Sequence, residues 1–300
     1  MDLLPQHDRY DYVPLPERRD YAWPEGKRLA FMVTTNIEWF AFNAGLGHDP
    51  AKANEPQTHR NYAWRDYGNR IGIWRFFDLL DELELPAAHN TNSLVYRYAP
   101  QITDAIRRRG DEIVAHGRTN AENLRGLWAP DEERLIREVT DTIREHEGKA
   151  PQGWMGAGAY ETSHTPDLLK AQGYRYVMDW PMDDQPVWMR TKAGALLSIP
   201  YPIETDDAQS IVHRKYTGRD FCDILVLQFD EMIAQCERHP LVMNVSVHPY
   251  IFGHPYQVSL LRKALQHCLG HANAGRVWWT RPGECADYCY RLPPGTIPGS

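Results

Sequence analysis

Leu29-Ala30-Phe31-Met32-Val33-Thr34-Thr35-Asn36 decides the fold. The stretch is apolar at odd and even positions alike and β-branched toward its end, which suits a strand covered on both faces, as in a parallel sheet. Polar residues begin where that strand would stop, at Asn36-Ile37-Glu38-Trp39. Stretches of the same kind recur at 85–90, 112–115, 153–155, 174–178, 196–201, 242–248 and 276–279. Between most of them lie helical patterns. Ile71, Trp74, Phe77 and Leu80 recur at steps of three within 68–83, and Phe221, Ile224, Leu225, Met232, Ile233 and Cys236 follow the spacing of one buried helix face. Thr165-Pro166-Asp167 starts another helix, with Thr as N-cap and Pro at the first helical position. Strands alternating with helices predict parallel βα units, hence an α/β fold. Nothing resembling GxGxxG or GxxxxGK[ST] follows any of these strands, so a barrel is favoured over an open nucleotide-binding sheet.

Working outward, residues 1–28 carry Pro5, Pro14, Pro16 and Pro24 among many charges and read as an arm across the surface. Residues 29–290 read as one barrel domain and 291–300 as a tail. The 300-residue length is compatible with this, since an α/β barrel fills roughly 250 residues as one unit. Lys and Arg total 33 against 40 Asp and Glu, a net charge of −7, which argues against a grip on nucleic-acid phosphates. The densest basic run, Arg107-Arg108-Arg109, reads as a helix end. The start shows no basic segment followed by an apolar one, and no stretch approaches a membrane span. The five cysteines, Cys222, Cys236, Cys268, Cys285 and Cys289, form no CxxC and are odd in number, as expected of reduced thiols in a cytoplasmic protein.

In a parallel barrel the reactive side chains sit where strands end and loops begin. Three strand ends each deliver a polar group: Glu38, the turn His116-Gly117-Arg118-Thr119-Asn120, and His248 before Pro249. A carboxylate with two ligands four residues apart can hold a divalent metal, because positions i and i+4 share a face of a helical turn, although Asn120 is a weak oxygen ligand. Taken singly, each has a plainer reading: Glu38 as a solvated or capping carboxylate, His248 as a hydrogen-bonded core histidine. Their joint appearance at strand ends of one barrel raises them as a site.

The residues also resemble a known family, the polysaccharide deacetylase (NodB-homology) superfamily, in its allantoinase-like and cyclic-imide-hydrolase-like branch. The resemblance runs from about Tyr21 to Tyr290. It rests on Asn36-Ile37-Glu38, on Asp66-Tyr67-Gly68-Asn69-Arg70-Ile71-Gly72-Ile73-Trp74, and on the His116–Asn120 turn. It continues in Gly153-Trp154-Met155-Gly156-Ala157-Gly158, in Asp179-Trp180-Pro181-Met182-Asp183-Asp184-Gln185-Pro186, in Ile199-Pro200-Tyr201 and in His248-Pro249. It implies a distorted (β/α)7-8 barrel and hydrolysis of a non-peptide C–N bond. Typical members hold a divalent metal through an Asp and two His. This chain departs, with Asn36 and Glu38 where one group of relatives has two aspartates and Asn120 in place of the second metal histidine. A divalent metal such as Zn²⁺ held by Glu38, His116 and Asn120, and a metal-free mechanism, therefore both stay open.

The working roles are Glu38 as general base or metal ligand, His116 as ligand or orienting group, and His248 as proton donor to the leaving nitrogen. Main-chain N–H groups of the Gly156–Gly158 loop are candidate oxyanion donors, with a tight turn as the plainer reading. Asp183 and Asp184 read as a further wall of the site or as turn-capping carboxylates. Trp39, Trp154 and Trp180 read as flat faces for a small ring, and Asn120 also as a substrate contact. The expected substrate is a small cyclic amide, imide or ureide. The rival readings are a metal-dependent deacetylase of an N-acetylated sugar, and an inactive barrel that binds a ligand or partner. The resemblance also implies a homo-oligomer. The stretch 40–64, with His48 and His59, follows no period and reads as a long loop.

Overall fold

β1 (Leu29–Ile37) is buried along its whole length. Leu29, Phe31, Val33 and Ile37 enter the apolar layer beneath the outer helices, while Ala30 and Met32 enter the inner layer, so the two-faced composition is a two-faced burial. The computed structural model describes residues 6–43 and 57–299. Its further strands are β2 (Ala88–Thr91), β3 (Glu112–Ala115), β4 (Gly153–Trp154), β5 (Tyr176–Val177), β6 (Val187–Thr191), β7 (Gly194–Ser198), β8 (Leu241–Val247) and β9 (Val277–Thr280). The sheet runs β6-β7-β5-β4-β3-β2-β1-β8, with β9 also on β1. β8 pairs with β1 from Leu29↔Leu241 to Thr35↔Val247; on the other edge β9 takes Leu29–Met32 and β2 takes Thr34–Ile37. Every pairing is parallel except the β6–β7 hairpin.

This is the distorted α/β barrel the sequence predicts. Each of the eight expected stretches meets a strand. The ninth, β6, escapes the pattern because it is an antiparallel edge whose outer half, Arg190 and Thr191, is polar and solvated. Among the described residues no strand closes the circle between β8 and the β6–β7 hairpin at the other end of the sheet. Connecting segments stand there instead, through Val242 N donating to Asp184 O at 2.8 Å and Ser246 N to Thr205 O at 2.9 Å.

The helices are α1 (His59–Tyr67), α2 (Ile73–Glu82), α3 (Val95–Tyr98), α4 (Pro100–Arg109), α5 (Ala129–Glu147), α6 (Thr165–Ala171), α7 (Gly218–Gln235), α8 (Pro249–Phe252), α9 (Pro255–Gly270) and α10 (Pro282–Cys289). Three expectations need correction. The expected 40–64 loop holds the start of α1, and its residues 44–56, with His48, lie outside the described residues. A π-helical turn at Gly68–Gly72 joins α1 to α2. Its wider turn shifts the helical phase, so the buried face is Ile73, Phe76, Phe77, Leu79 and Leu80, and Ile71 is 42% exposed. Thr165 is the first residue of α6 and not its cap; its hydroxyl bonds Glu132 on α5. Arg107–Arg109 do end α4, followed by Gly110 at a φ of 70°.

Residues 6–28 cross the barrel, tied by Arg9–Asp167 at 2.7 Å and Arg18–Asp183 at 2.6 Å and anchored by buried Trp23, whose Nε1 donates to Leu241 O at 3.1 Å. At the other terminus Ile297 is buried and Pro298 O accepts from Trp188 N at 2.8 Å. All five cysteines are free and buried. No helix among the described residues is long and apolar enough to cross a membrane.

Candidate active site

The inward parity of β1 continues past Thr34 to Asn36 and then to Glu38, just beyond the strand end. Glu38 is only 7% exposed. Asn69 Nδ2, from the π turn, donates to its carbonyl at 2.8 Å. Around Glu38 Oε1 gather three groups: His116 Nε2 at 3.6 Å, His248 Nε2 at 3.5 Å, and the donating amide of Asn120. Glu38 Oε2 and His116 Nε2 are buried and meet no protein partner. The sequence-predicted trio from β1, β3 and β8 therefore converges on one carboxylate.

Each imidazole is oriented by its far nitrogen. His116 Nδ1 lies 2.6 Å from Met155 O, and since a carbonyl can only accept, Nδ1 carries a proton. His248 Nδ1 lies 2.6 Å from Asp207 Oδ1, and Asp207 Oδ2 accepts the His248 main-chain N–H at 2.8 Å. Burial acts to lower the His248 pKa, but the charges of Asp207 and Glu38 outweigh it and hold the imidazole well above its ordinary value. Burial raises Asp207 to about 6 despite its imidazole partner. Burial also acts to raise Glu38, yet His248 and His116 hold it well below the usual carboxylate range.

Asn120 is turned the wrong way for a ligand. Trp39 N–H donates to Asn92 Oδ1 at 2.7 Å, so the Asn92 amide nitrogen faces the His116 carbonyl and Asn120 Oδ1, the latter at 2.9 Å. Asn120 Oδ1 is thereby occupied and its Nδ2 points at Glu38. This corrects the reading of Asn120 as an oxygen ligand, since main-chain groups at both ends of the chain of amides set its direction. Below it, Asn36 receives Asn90 Nδ2 at 2.9 Å and donates to Tyr201 OH at 3.0 Å and Ser246 Oγ at 2.9 Å; Ser246 Oγ in turn donates to Asp206 Oδ2 at 2.7 Å.

These groups open on a cavity of about 420 Å³. Asn36, Glu38, His116, Asn120 and His248 line it, joined by Asp179, Tyr201 and Asp206. Other expected wall residues do not. Trp154 is wholly buried against Tyr174, and Trp39 stacks on Tyr98 at 4.8 Å. Trp180 Nε1 donates to Glu161 Oε2 at 2.8 Å. Asp183 pairs with Arg18 and accepts Gln185 N–H at 2.9 Å, the turn-capping alternative, and Asp184 contributes its carbonyl to β8. Gly156 does not line the cavity either, and its N–H is spent on Asp179 Oδ1 at 2.7 Å. Asp207 is the chief residue that sequence reasoning missed. Its signal was present: Thr205-Asp206-Asp207 follows the Pro-rich exit of β7, another strand end with carboxylates.

A divalent metal fits the expected ligand set poorly. With Asn120 presenting N–H, only Glu38 and His116 remain of that set, fewer than the three protein ligands of a catalytic zinc site. Among the described residues, the three ligand atoms that cluster within 4.8 Å belong to Asp206, Asp207 and His248, and Asp207 spends both oxygens on His248.

No family model matches the chain. A curated relative, the peptidoglycan deacetylase of Helicobacter pylori, is 23% identical over 257 residues, covering 74% of this chain and 84% of the relative. Among solved structures, PuuE allantoinase superposes with a TM-score of 0.82 at 23% identity, covering 91% of this chain and 93% of that one. A probable polysaccharide deacetylase from Pseudomonas aeruginosa PAO1 gives 0.80 at 22% identity, covering 91% and 94%. At these identities the two structures establish a common fold. The chain thus has the fold of PuuE allantoinase and of the probable polysaccharide deacetylase, and its similarity to the curated peptidoglycan deacetylase runs over 74% of its length.

Proposed function

We propose that this hydrolase of non-peptide carbon–nitrogen bonds opens a small cyclic amide, imide or ureide by acid–base chemistry between Glu38 and His248. The observation that carries the reading is the Glu38 carboxylate, with one oxygen free of partners, set beside an Asp207-backed imidazolium at the wall of a 420 Å³ cavity. That volume suits a small ring.

Glu38 Oε2 accepts the proton of an attacking water, whose oxygen bonds to the ring carbonyl carbon. His248 Nε2 gives its proton to the ring nitrogen as the C–N bond breaks. The two transfers assist each other: when His248 loses its proton, the positive charge that held Glu38 acidic disappears and Glu38 becomes a better base. With Gly156 engaged, the candidate N–H donors to the oxyanion are Ala157 and Gly158, and Gly158 lines the cavity. His116, held by Met155 O, lies beside the same Glu38 oxygen as His248 and helps keep the carboxylate charged.

A deacetylase of an N-acetylated sugar is the second reading, favoured by the curated relative's name. Asn120, a donor where that chemistry calls for a metal ligand, weighs against it. Hydrolysis of hydantoin, succinimide and allantoin against N-acetylglucosamine oligomers separates the two. Ring opening supports the proposal, acetate release supports the second reading, and turnover of neither leaves a ligand-binding barrel.

A further inference from the structure

β4 and β5 are parallel neighbours, so the loops that leave them run side by side above the sheet. The first carries Gly156 to Glu161 and the second Asp179-Trp180. Asp179 Oδ1 takes the Gly156 N–H at 2.7 Å, and Glu161 Oε2 takes Trp180 Nε1–H at 2.8 Å. The remaining oxygens, Asp179 Oδ2 and Glu161 Oε1, are buried and meet no donor. The two neighbouring loops thus bring together two carboxyls, each with one buried oxygen that no donor satisfies. One proton retained between two such carboxyls relieves both oxygens and leaves a single negative charge on the pair.

Asp179 lines the cavity that holds Glu38 and His116, both more than nine-tenths buried and each with an unpartnered atom there. The other carboxylate in the wall is Asp206, and among the described residues no Lys or Arg lines the cavity. The wall is thus rich in acceptors. Substrate donors find acceptors here, and a substrate carboxylate would face Glu38, Asp179 and Asp206 with the His248 imidazolium, already flanked by Glu38 and Asp207, as its one positive neighbour.

We propose that Asp179, locked by a proton shared with Glu161, is a specificity-determining residue that accepts a ring N–H of the substrate, so that the site selects neutral rings bearing N–H groups and rejects carboxylate-bearing or fully N-alkylated ones. Glu161 is a positioning residue: it holds the far side of Asp179 and leaves one unit of negative charge on the pair. Burial, which pushes Asp179 up to about 6 and, together with the Asp179 charge, Glu161 well above the carboxylate range, agrees with one retained proton. The inference rests on the ring-hydrolase reading for its substrate class and on the carboxyl pair for its mechanism.

The test compares hydantoin, which has two ring N–H groups, with 1,3-dimethylhydantoin, which has none. The wild type should favour hydantoin by at least about tenfold in kcat/KM. Asp179→Asn should raise KM for hydantoin about tenfold with a much smaller change in kcat, and should leave the dimethyl compound unaffected. Glu161→Gln, whose amide N–H replaces the shared proton, should keep the preference, and Glu161→Ala should lose it. Equal effects of Asp179→Asn on both compounds would reduce the pair to a structural contact and overturn the proposal. If the wild type opens neither ring, the hydrolase reading fails, and calorimetric titration with the same two compounds decides the specificity claim: a hydantoin preference lost in Asp179→Asn supports it, and no preference overturns it. Infrared spectra supply a readout independent of substrate. A protonated-carboxyl band present in the wild type and lost in Glu161→Gln is expected at neutral pH, and its absence from the wild type would overturn the shared proton.

Discussion

At the scale of single residues, the site is one carboxylate with its neighbours chosen to keep it charged. Glu38→Gln removes the proton acceptor while preserving shape, so turnover should fall by roughly 10²–10⁴ with no change in the melting curve, as steady-state kinetics and thermal unfolding can show. Asn120→Asp replaces a donor to Glu38 with a like charge; kcat/KM should drop about tenfold or more, and the acid limb of its pH profile should move upward as Glu38 ionises less readily. The wild-type profile follows from Asp207 and His248. Asp207 is a carboxylate only above about pH 6, so kcat/KM should decline below that value as it takes a proton and releases the imidazole. His248, with its pKa raised well above the ordinary value, keeps its proton through neutrality, so the alkaline decline should lie well above 6.5. Asp207→Asn should bring that alkaline limb down, because one of the charges that retains the proton is gone. Glu38, His116 and His248 were legible because each directly follows a strand that sequence periodicity reveals. Asp207 and Asp179 follow strands too, but their roles depend on a ring and a second carboxyl that only the folded chain brings near. The direction of the Asn120 amide was not legible at all, being set by main-chain groups of Trp39 and His116.

At the scale of elements, His248 is held by what packs behind it. The turn that follows it, α8, lies on the π-helical turn between α1 and α2, where a methyl on Gly72 would overlap the Pro249 carbonyl and press on Gly253. Gly72→Ala should therefore cost about 1–3 kcal/mol by denaturant unfolding and also lower kcat, since relief of the overlap displaces the His248–Pro249 corner. Strands with two apolar faces were readable because β1 and β8 are buried throughout. The antiparallel β6 was not readable, since half of it is exposed, nor was the phase of α2, because the preceding π turn moves the buried face away from the one that Ile71 predicts.

At the scale of the whole molecule, among the described residues no strand joins β8 to the β6–β7 hairpin, and residues 6–28 cross the barrel, tied down by Arg9, Arg18 and Trp23. Trp23 is buried against Trp278 and Tyr288, so Trp23→Ala should cost about 3–5 kcal/mol in urea unfolding even though it sits by the start of β1 and β8, at the strand ends opposite Glu38 and His248. The central claim is that this barrel opens cyclic amides through Glu38 and His248. The most direct measurement is the rate of ring opening of hydantoin, succinimide and allantoin by the wild type, by Glu38→Gln and by His248→Gln. The account predicts turnover of at least one ring by the wild type and a loss of at least a hundredfold in each variant with the fold intact. Undiminished turnover in either variant, or hydrolysis confined to N-acetylated sugars, would contradict it.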